Sequence, residues 1–281
     1  MQLPVTIIMP HHGDIEFLGD ALKSAISQDY ENFQVLLVLD RPDQDVLQFL
    51  ENFESMKKVK ILVSKSPGLV GALNYAISHV ESGLVARFDS DDLMAPNRIS
   101  MQVERFSRSN NLGALGCQLI KIDELGNEIG AVKYPCSNFE LRMRINLSSP
   151  IAHTALMLPI EVLKDAGGYR EEEFPSEDFG LLKRISTKWE LENLNQSLVK
   201  YRVHNSSTSN TNRNRQVSKS LEIALGVRET KLISKVTLLI IKNFGHFGIS
   251  SLAMLALRFP LKVFKFVVYI CIFRILHREN G

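Results

Sequence analysis

The run Phe88-Asp89-Ser90-Asp91-Asp92 places three carboxylates in five residues, directly after the apolar stretch Gly83-Leu84-Val85-Ala86. A short apolar run bounded by turn residues predicts a buried parallel strand. Acids at the C-terminal end of such a strand lie where open α/β sheets bind ligands. Asp89 and Asp91, one residue apart, can share a hard divalent cation and leave positions on it for diphosphate oxygens. Ser90 reads as a support for the turn. The same residues also suit an acidic turn that caps the next helix, since Asp is a common turn and N-cap residue. A second acidic pair, Glu177-Asp178, follows Ser176 and precedes the amphipathic run Phe179 to Ile185. Read alone, it is a helix start, where negative charge meets the positive end of the dipole.

The elements that must position these acids follow a regular order. Val5 to Met9 reads as a first strand, stopped by Pro10. Leu18, Leu22, Ala25 and Ile26 recur at helical spacing. Phe33 to Leu39 is a second apolar strand and ends at Asp40. Val46, Leu47, Leu50 and Phe53 mark a helix, Val59 to Val63 a third strand, and Gly68 to His79 a loop running into a helix. Strands alternating with helices imply βαβ units and a mainly parallel sheet, an α/β fold. After residue 110 the rhythm changes. A strand is expected over 112–122, a turn at 125–128 into a short return strand, and helices over 139–147, 162–166 and 179–186. Further strands are expected over 154–158, 190–194 and 198–203, and Trp189 reads as core. Residues 205–215 are polar and low in complexity, which predicts a linker or mobile loop.

The 281 residues carry a net charge of +2, unevenly placed. Residues 231–281 hold eight Lys/Arg and one acid, Glu279, leaving the first 230 residues at a balance of −5. The three cysteines, Cys117, Cys136 and Cys271, are far apart in sequence and form no C-x-x-C, which argues against a zinc site or disulfide framework and for a reducing compartment. The N-terminus lacks a basic segment followed by a long apolar one, so no signal peptide is expected.

Several short motifs stand in order: Pro10-His11-His12 and Asp40 at strand ends, Gly71-Ala72-Leu73-Asn74 at a helix start, Asp89-Ser90-Asp91-Asp92 with Pro96-Asn97-Arg98 downstream, Gly167-Gly168-Tyr169, Glu177-Asp178, and Tyr201-Arg202-Val203-His204. Together they resemble family 2 of the inverting glycosyltransferases, which have the GT-A fold. The resemblance covers roughly residues 4–208 and is nearest to bacterial enzymes that build surface polysaccharides. It implies transfer of a sugar from a nucleotide-sugar donor to a hydroxyl of a glycan, with a divalent cation, Mn²⁺ or Mg²⁺, as cofactor. It implies Asp178 as general base, and Asp89, Asp91 and His204 as metal residues. It puts Pro10, His11, Asp40, Gly71, Asn74 and Asp89 on the donor side, and His153 and Glu177 on the acceptor side. The chain departs from the family pattern at Asp40-Arg41-Pro42, where Arg41 replaces a residue that is normally small or acidic. Arg202 could contact a phosphate or pair with an acid of the body. His204 could equally be a structural histidine.

Residues 236–257 and 261–276 are strongly apolar but interrupted by Lys242, His246, Lys262, Lys265 and Arg274. Apolar helices with basic flanks fit an interfacial anchor on anionic lipid better than a span. The expected organisation is a catalytic domain over 1–215 and a helical membrane-associating region over 216–281. That places the protein at the cytoplasmic face of the plasma membrane, peripheral or monotopic, with a lipid-linked oligosaccharide as acceptor and no nucleic-acid partner. The alternatives are a sugar-nucleotidyltransferase, which would need a Gly-rich basic loop after the first strand, and a non-catalytic membrane-bound protein that binds nucleotide-sugars.

Overall fold

A computed structural model describes residues 2–13, 15–51, 56–204 and 212–225. The first half alternates strictly: β1 Val5–His11, α1 Leu18–Ile26, β2 Phe33–Leu39, α2 Gln44–Glu51, β3 Val59–Val63, α3 Gly68–Ile77 and β4 Leu84–Arg87. β1, β2, β3 and β4 pair in parallel, with β1 between β2 and β4. Successive side chains of a strand point to opposite faces, and both faces here are apolar. Ile7, Met9, Val35 and Leu37 enter one layer with Leu18, Leu22 and Ala25 of α1. Ile8, Leu36 and Val38 enter the other with Val70, Leu73 and Ala76 of α3. Coverage on both faces is why β1 and β2 read as nearly unbroken apolar runs, whereas β3, at the sheet edge, is largely exposed.

The second half turns the sheet mixed. It contains β5 Leu93–Met94, α4 Arg98–Ser107, β6 Leu112–Ile122, β7 Glu128–Val132, α5 Asn138–Arg144, β8 Met157–Pro159, α6 Ile160–Asp165, α7 Glu177–Ile185, β9 Glu190–Arg202 and α8 Arg213–Leu225. The strand order is β3-β2-β1-β4-β8-β6-β9-β5, with β7 on β6. β8 runs antiparallel to both β4 and β6, and so joins the parallel first half to the long β6–β9 pair. Arg98, fully buried, fastens this junction. Its guanidinium donates to the carbonyls of Arg87 and Thr154, at 2.9 Å each, and to Gln102. Burial lowers its pKa to about 10.

Three details differ from expectation. The two strands expected over 190–203 are one strand, β9, because the polar residues between them bulge, shifting the register with β6 without ending the pairing. The strand expected from Thr154 begins only at Met157; His153–Ala155 is a 3₁₀ turn. The polar stretch 205–215 is helical from Arg213, and residues 205–211 lie outside the described residues. α8 crosses the expected domain boundary at 215/216 and packs on α7: Lys183 donates to the carbonyls of Ile223 and Ala224, and Ser176 donates to that of Gln216. Trp189 is half-buried against the second layer. No helix among the described residues is long and apolar enough to cross a membrane. The apolar tail, residues 231–281, falls outside them.

Candidate active site

The C-terminal ends of β1, β2 and β4 open into a cleft of about 840 Å³. The chain leaves β4 through Phe88, a buried core residue, and exposes Asp89 and Asp91 to the cleft. One carboxylate oxygen from each of Asp89, Asp91 and Asp92 lies within 4.8 Å of the others. Asp91 Oδ2 is 2.9 Å from Nε2 of His204. Ser90 spans to His11 Nδ1 at 3.0 Å and so holds the turn against β1. Asp92 is fully buried behind the cleft. It accepts from the Arg202 backbone N–H at 2.8 Å, and its Oδ2 is buried with no hydrogen-bond partner among the described residues. Burial and the neighbouring Asp89 raise the pKa of Asp91 despite His204; burial, Asp89 and Asp91 raise that of Asp92 further. Crowded carboxylates with an orphaned oxygen and an adjacent imidazole suit a hard divalent cation, which prefers oxygen ligands. Arg202 is turned toward backbone carbonyls. It donates to the carbonyls of Asp91, Asp123 and Glu124 and stacks on Phe17, fixing the back of the acidic turn.

At the end of β2, Asp40 is buried and heavily engaged. Its Oδ2 accepts from the Gly68 N–H at 3.0 Å, and Arg41 folds back on both its oxygens at 3.2 Å. Arg41 has φ of 51°, the left-handed region that bulky residues rarely enter. His12 donates through Nδ1 to the Asp40 carbonyl at 2.9 Å. Pro10, His11, His12, Asp40 and Arg41 all line the cleft, with Gly68 and Leu69 from the start of α3. Gly71 and Asn74 do not. Gly71 lets α3 close on its own entry loop, since a Cβ there would come within 2.8 Å of Ser66. Asn74 spends its amide on the backbone of Tyr169, donating at 2.8 Å and accepting at 3.0 Å. Gly168 makes that approach possible: its φ is +63°, and a Cβ would lie 2.8 Å from Asn74 Oδ1. Their part in the cleft is therefore indirect.

The first turn of α7 brings Glu177 and Asp178 to the same cleft. Asp178 is half-buried near Ser149, whose hydroxyl donates to the Ile151 carbonyl at 2.8 Å; burial raises the pKa of Asp178. Glu177 is buried, and burial plus the neighbouring Asp178 push it up to about 8. His153 lies beside this pair, with Nδ1 3.9 Å from Glu177 Oε1 and Nε2 2.8 Å from the Tyr169 hydroxyl. Burial and the field of Arg87 hold His153 well below its ordinary pKa, so it is neutral; burial raises Tyr169. The sheet edge thus brings Asp89, Asp91, His204, Asp178, Glu177 and His153 to one space, although 115 positions separate the first from the last.

Arg87, Tyr134 and Ser149 also line the cleft, and no motif marks them. Arg87, the last residue of β4, is buried in the cleft wall and ion-paired with Asp89. Burial works against its charge, but Asp89, Tyr169 and Asp92 outweigh it and raise its pKa. A cation inside a buried strand was a usable signal, because such a charge needs a partner. Tyr134 lies near Asp178 and carries Arg144 over its ring at 5.1 Å. Nothing in its local sequence marks it.

Residues 6–164 match the family model described as Glycosyl transferase family 2. The chain belongs to that family. It is 29% identical over 211 residues to the O-antigen biosynthesis glycosyltransferase WbnJ of Escherichia coli, a match covering 73% of this chain and 81% of the relative. Among solved structures it is similar to the mannosyltransferase PcManGT from Pyrobaculum calidifontis in complex with GDP-Man and Mn²⁺, with a TM-score of 0.63 at 14% identity, over 98% of this chain and 81% of that one. It is also similar to S. aureus TarS 1–349 in complex with UDP, with a TM-score of 0.61 at 16% identity, over 92% of this chain and 76% of that one. These likenesses establish a GT-A-type fold for this family 2 glycosyltransferase. Within that fold, the acidic turn after β4 and the start of α7 line the same cleft.

Proposed function

We propose that this glycosyltransferase moves a sugar, with inversion, from a nucleotide-sugar to a hydroxyl of a growing bacterial surface glycan. The observation that carries the reading is the shared cleft: Asp89 and Asp91 enter from the end of β4, and Asp178 from the first turn of α7. Asp178 accepts the proton of the attacking hydroxyl. Its raised pKa brings it nearer neutrality, where a general base works best. The hydroxyl attacks the anomeric carbon from the face opposite the diphosphate, so one displacement inverts the centre. A divalent cation on Asp89 and Asp91, with His204 beside them, would neutralise charge growing on the departing diphosphate. Asp40, His11 and His12 flank the nucleotide end. His153 and Glu177 stand on the acceptor side. GDP-Man and Mn²⁺ in PcManGT, and UDP in TarS, support the donor class and the cation.

The acceptor in this reading is a lipid-linked oligosaccharide, and the enzyme works at the cytoplasmic face of the plasma membrane. The relative named for O-antigen biosynthesis supports the glycan class. The basic, apolar sequence of residues 231–281 supports the membrane address. The test is a panel of UDP-, GDP- and dTDP-sugars offered to the full-length protein with Mn²⁺, Mg²⁺ or a chelator, with glycan acceptors. The product's anomeric configuration is read by NMR. We expect cation-dependent transfer with inversion. Transfer with retention, or transfer undiminished by the chelator, would overturn the mechanism.

A further inference from the structure

Arg87 is a buried cation of this cleft that the mechanism above leaves unused. Its backbone cannot shift easily. The N–H donates to the Leu156 carbonyl at 2.8 Å, and the carbonyl accepts from Arg98 at 2.9 Å. Its side chain is 4% exposed, so it cannot leave the wall for solvent. Nη1 lies against Asp89 Oδ2, while Nε is buried with no partner among the described residues. A guanidinium offers five N–H donors in a rigid fork suited to paired oxygens, and an unmet buried donor is costly. Here that fork stands in the wall of the cleft that holds Asp89 and Asp91.

We propose that Arg87 is a positioning residue that turns Asp89 toward Asp91 and serves as stand-in positive charge until cation and diphosphate arrive together. The inference rests on the proposed cation and nucleotide-sugar chemistry. The Arg87–Asp89 pair occupies one oxygen of Asp89 and leaves the other for the cation. Arg87 therefore opposes binding of the cation alone, by like charge and by competition for Asp89. It favours binding of the diphosphate, whose oxygens meet the fork. Removing its charge acts in opposite directions on the two ligands. A residue that merely held the wall together would weaken both.

The test uses Arg87→Met and Arg87→Lys in the full chain, with Mn²⁺ affinity read by electron paramagnetic resonance without nucleotide. UDP and GDP affinities are then read by calorimetry at saturating Mn²⁺, using whichever binds the wild type. For Arg87→Met we expect Mn²⁺ alone to bind about fivefold tighter, as expected for removing a like charge near the site. We expect the nucleoside diphosphate to bind about tenfold weaker, as for a lost charge-assisted contact. Arg87→Lys keeps the charge but not the fork, so Mn²⁺ affinity should stay near wild type while the diphosphate still weakens. A folded Arg87→Met that binds Mn²⁺ no tighter, or binds the diphosphate as wild type does, overturns the inference. If Arg87→Met does not fold, Arg87→Lys decides: loss of Mn²⁺ affinity there would reduce Arg87 to a structural part. Failure of the wild type to bind Mn²⁺ would overturn the proposed function instead.

Discussion

Two groups of carboxylates face one cleft, and they cope with burial by different means. Asp89, Asp91 and Asp92 crowd together, and what surrounds them is positive or can become so: Arg87 on Asp89 and His204 on Asp91. Glu177 and Asp178 sit beside a neutral imidazole, a neutral phenol and the Ser149 hydroxyl. In the proposed mechanism the first group would be relieved of mutual repulsion by a cation and the second by a proton. The same side-chain type would thus serve a metal at a strand end and accept a proton at a helix start, and the neighbours make the difference.

The largest effect should come from removing the proposed proton acceptor. Asp178→Asn keeps the shape but cannot take a proton. We expect transfer to fall by about 10³-fold, within the usual contribution of a general base, with nucleoside diphosphate affinity within about twofold of wild type. Kinetics paired with calorimetry would check both. Wild-type-like turnover would move the base elsewhere and break the division between the two groups. Next in size is Asp91→Asn, which removes a cation ligand and leaves His204 without its carboxylate. We expect Mn²⁺ to bind at least about tenfold weaker, and the residual activity to need more Mn²⁺. Retained Mn²⁺ affinity would show that Asp91 does not hold the cation.

How far these groups were legible in the sequence follows from how local their signals are. β1 and β2 announce themselves through runs such as Val35 to Leu39, because both sheet faces are covered there. The acidic turn is equally local: three acids after one apolar strand. Asp178 was a helix start until the order of motifs gave it a role, since nothing within five residues distinguishes a base from a dipole partner. Arg87, Tyr134 and Ser149 depend on contacts between segments far apart in the chain, which periodicity does not encode. Asn74 shows the reverse situation. Its place in a motif suggested the donor, but its amide is consumed by Tyr169, 95 residues away. Single-residue roles are settled by tertiary partners, and those partners carry no sequence spacing.

Glu177 sharpens the comparison by its pH dependence. Its pKa is about 8 in the fold against an ordinary value of 4.5. Below 4.5 both folded and unfolded chains hold the proton. Between 4.5 and 8 only the unfolded chain releases it, so stability falls as pH rises through that window and then levels. Glu177→Gln abolishes the loss. Thermal melts should find the variant more stable than wild type at pH 8, by on the order of 1–3 kcal/mol, and equal to it near pH 4. Equal melting at both pH values would mean that Glu177 ionises freely and that the second group is not proton-relieved.

The smallest effect tests the neutral neighbours. Tyr169→Phe removes one hydroxyl, the partner of His153 Nε2 at 2.8 Å, and leaves the Asn74 tether to the backbone intact. A single neutral hydrogen bond contributes about 1 kcal/mol, so the melting temperature should drop by only a few degrees. The informative readout is acceptor KM. His153 without its hydroxyl partner is free to turn its ring toward Glu177, 3.9 Å away, and so to change the acceptor wall while leaving the cation side alone. We expect acceptor KM to rise about threefold, the order of that lost bond, with Mn²⁺ affinity unchanged. A shift in Mn²⁺ affinity instead would show that the two groups share one electrostatic network, with Arg87 as its link, and are not independent halves of the cleft.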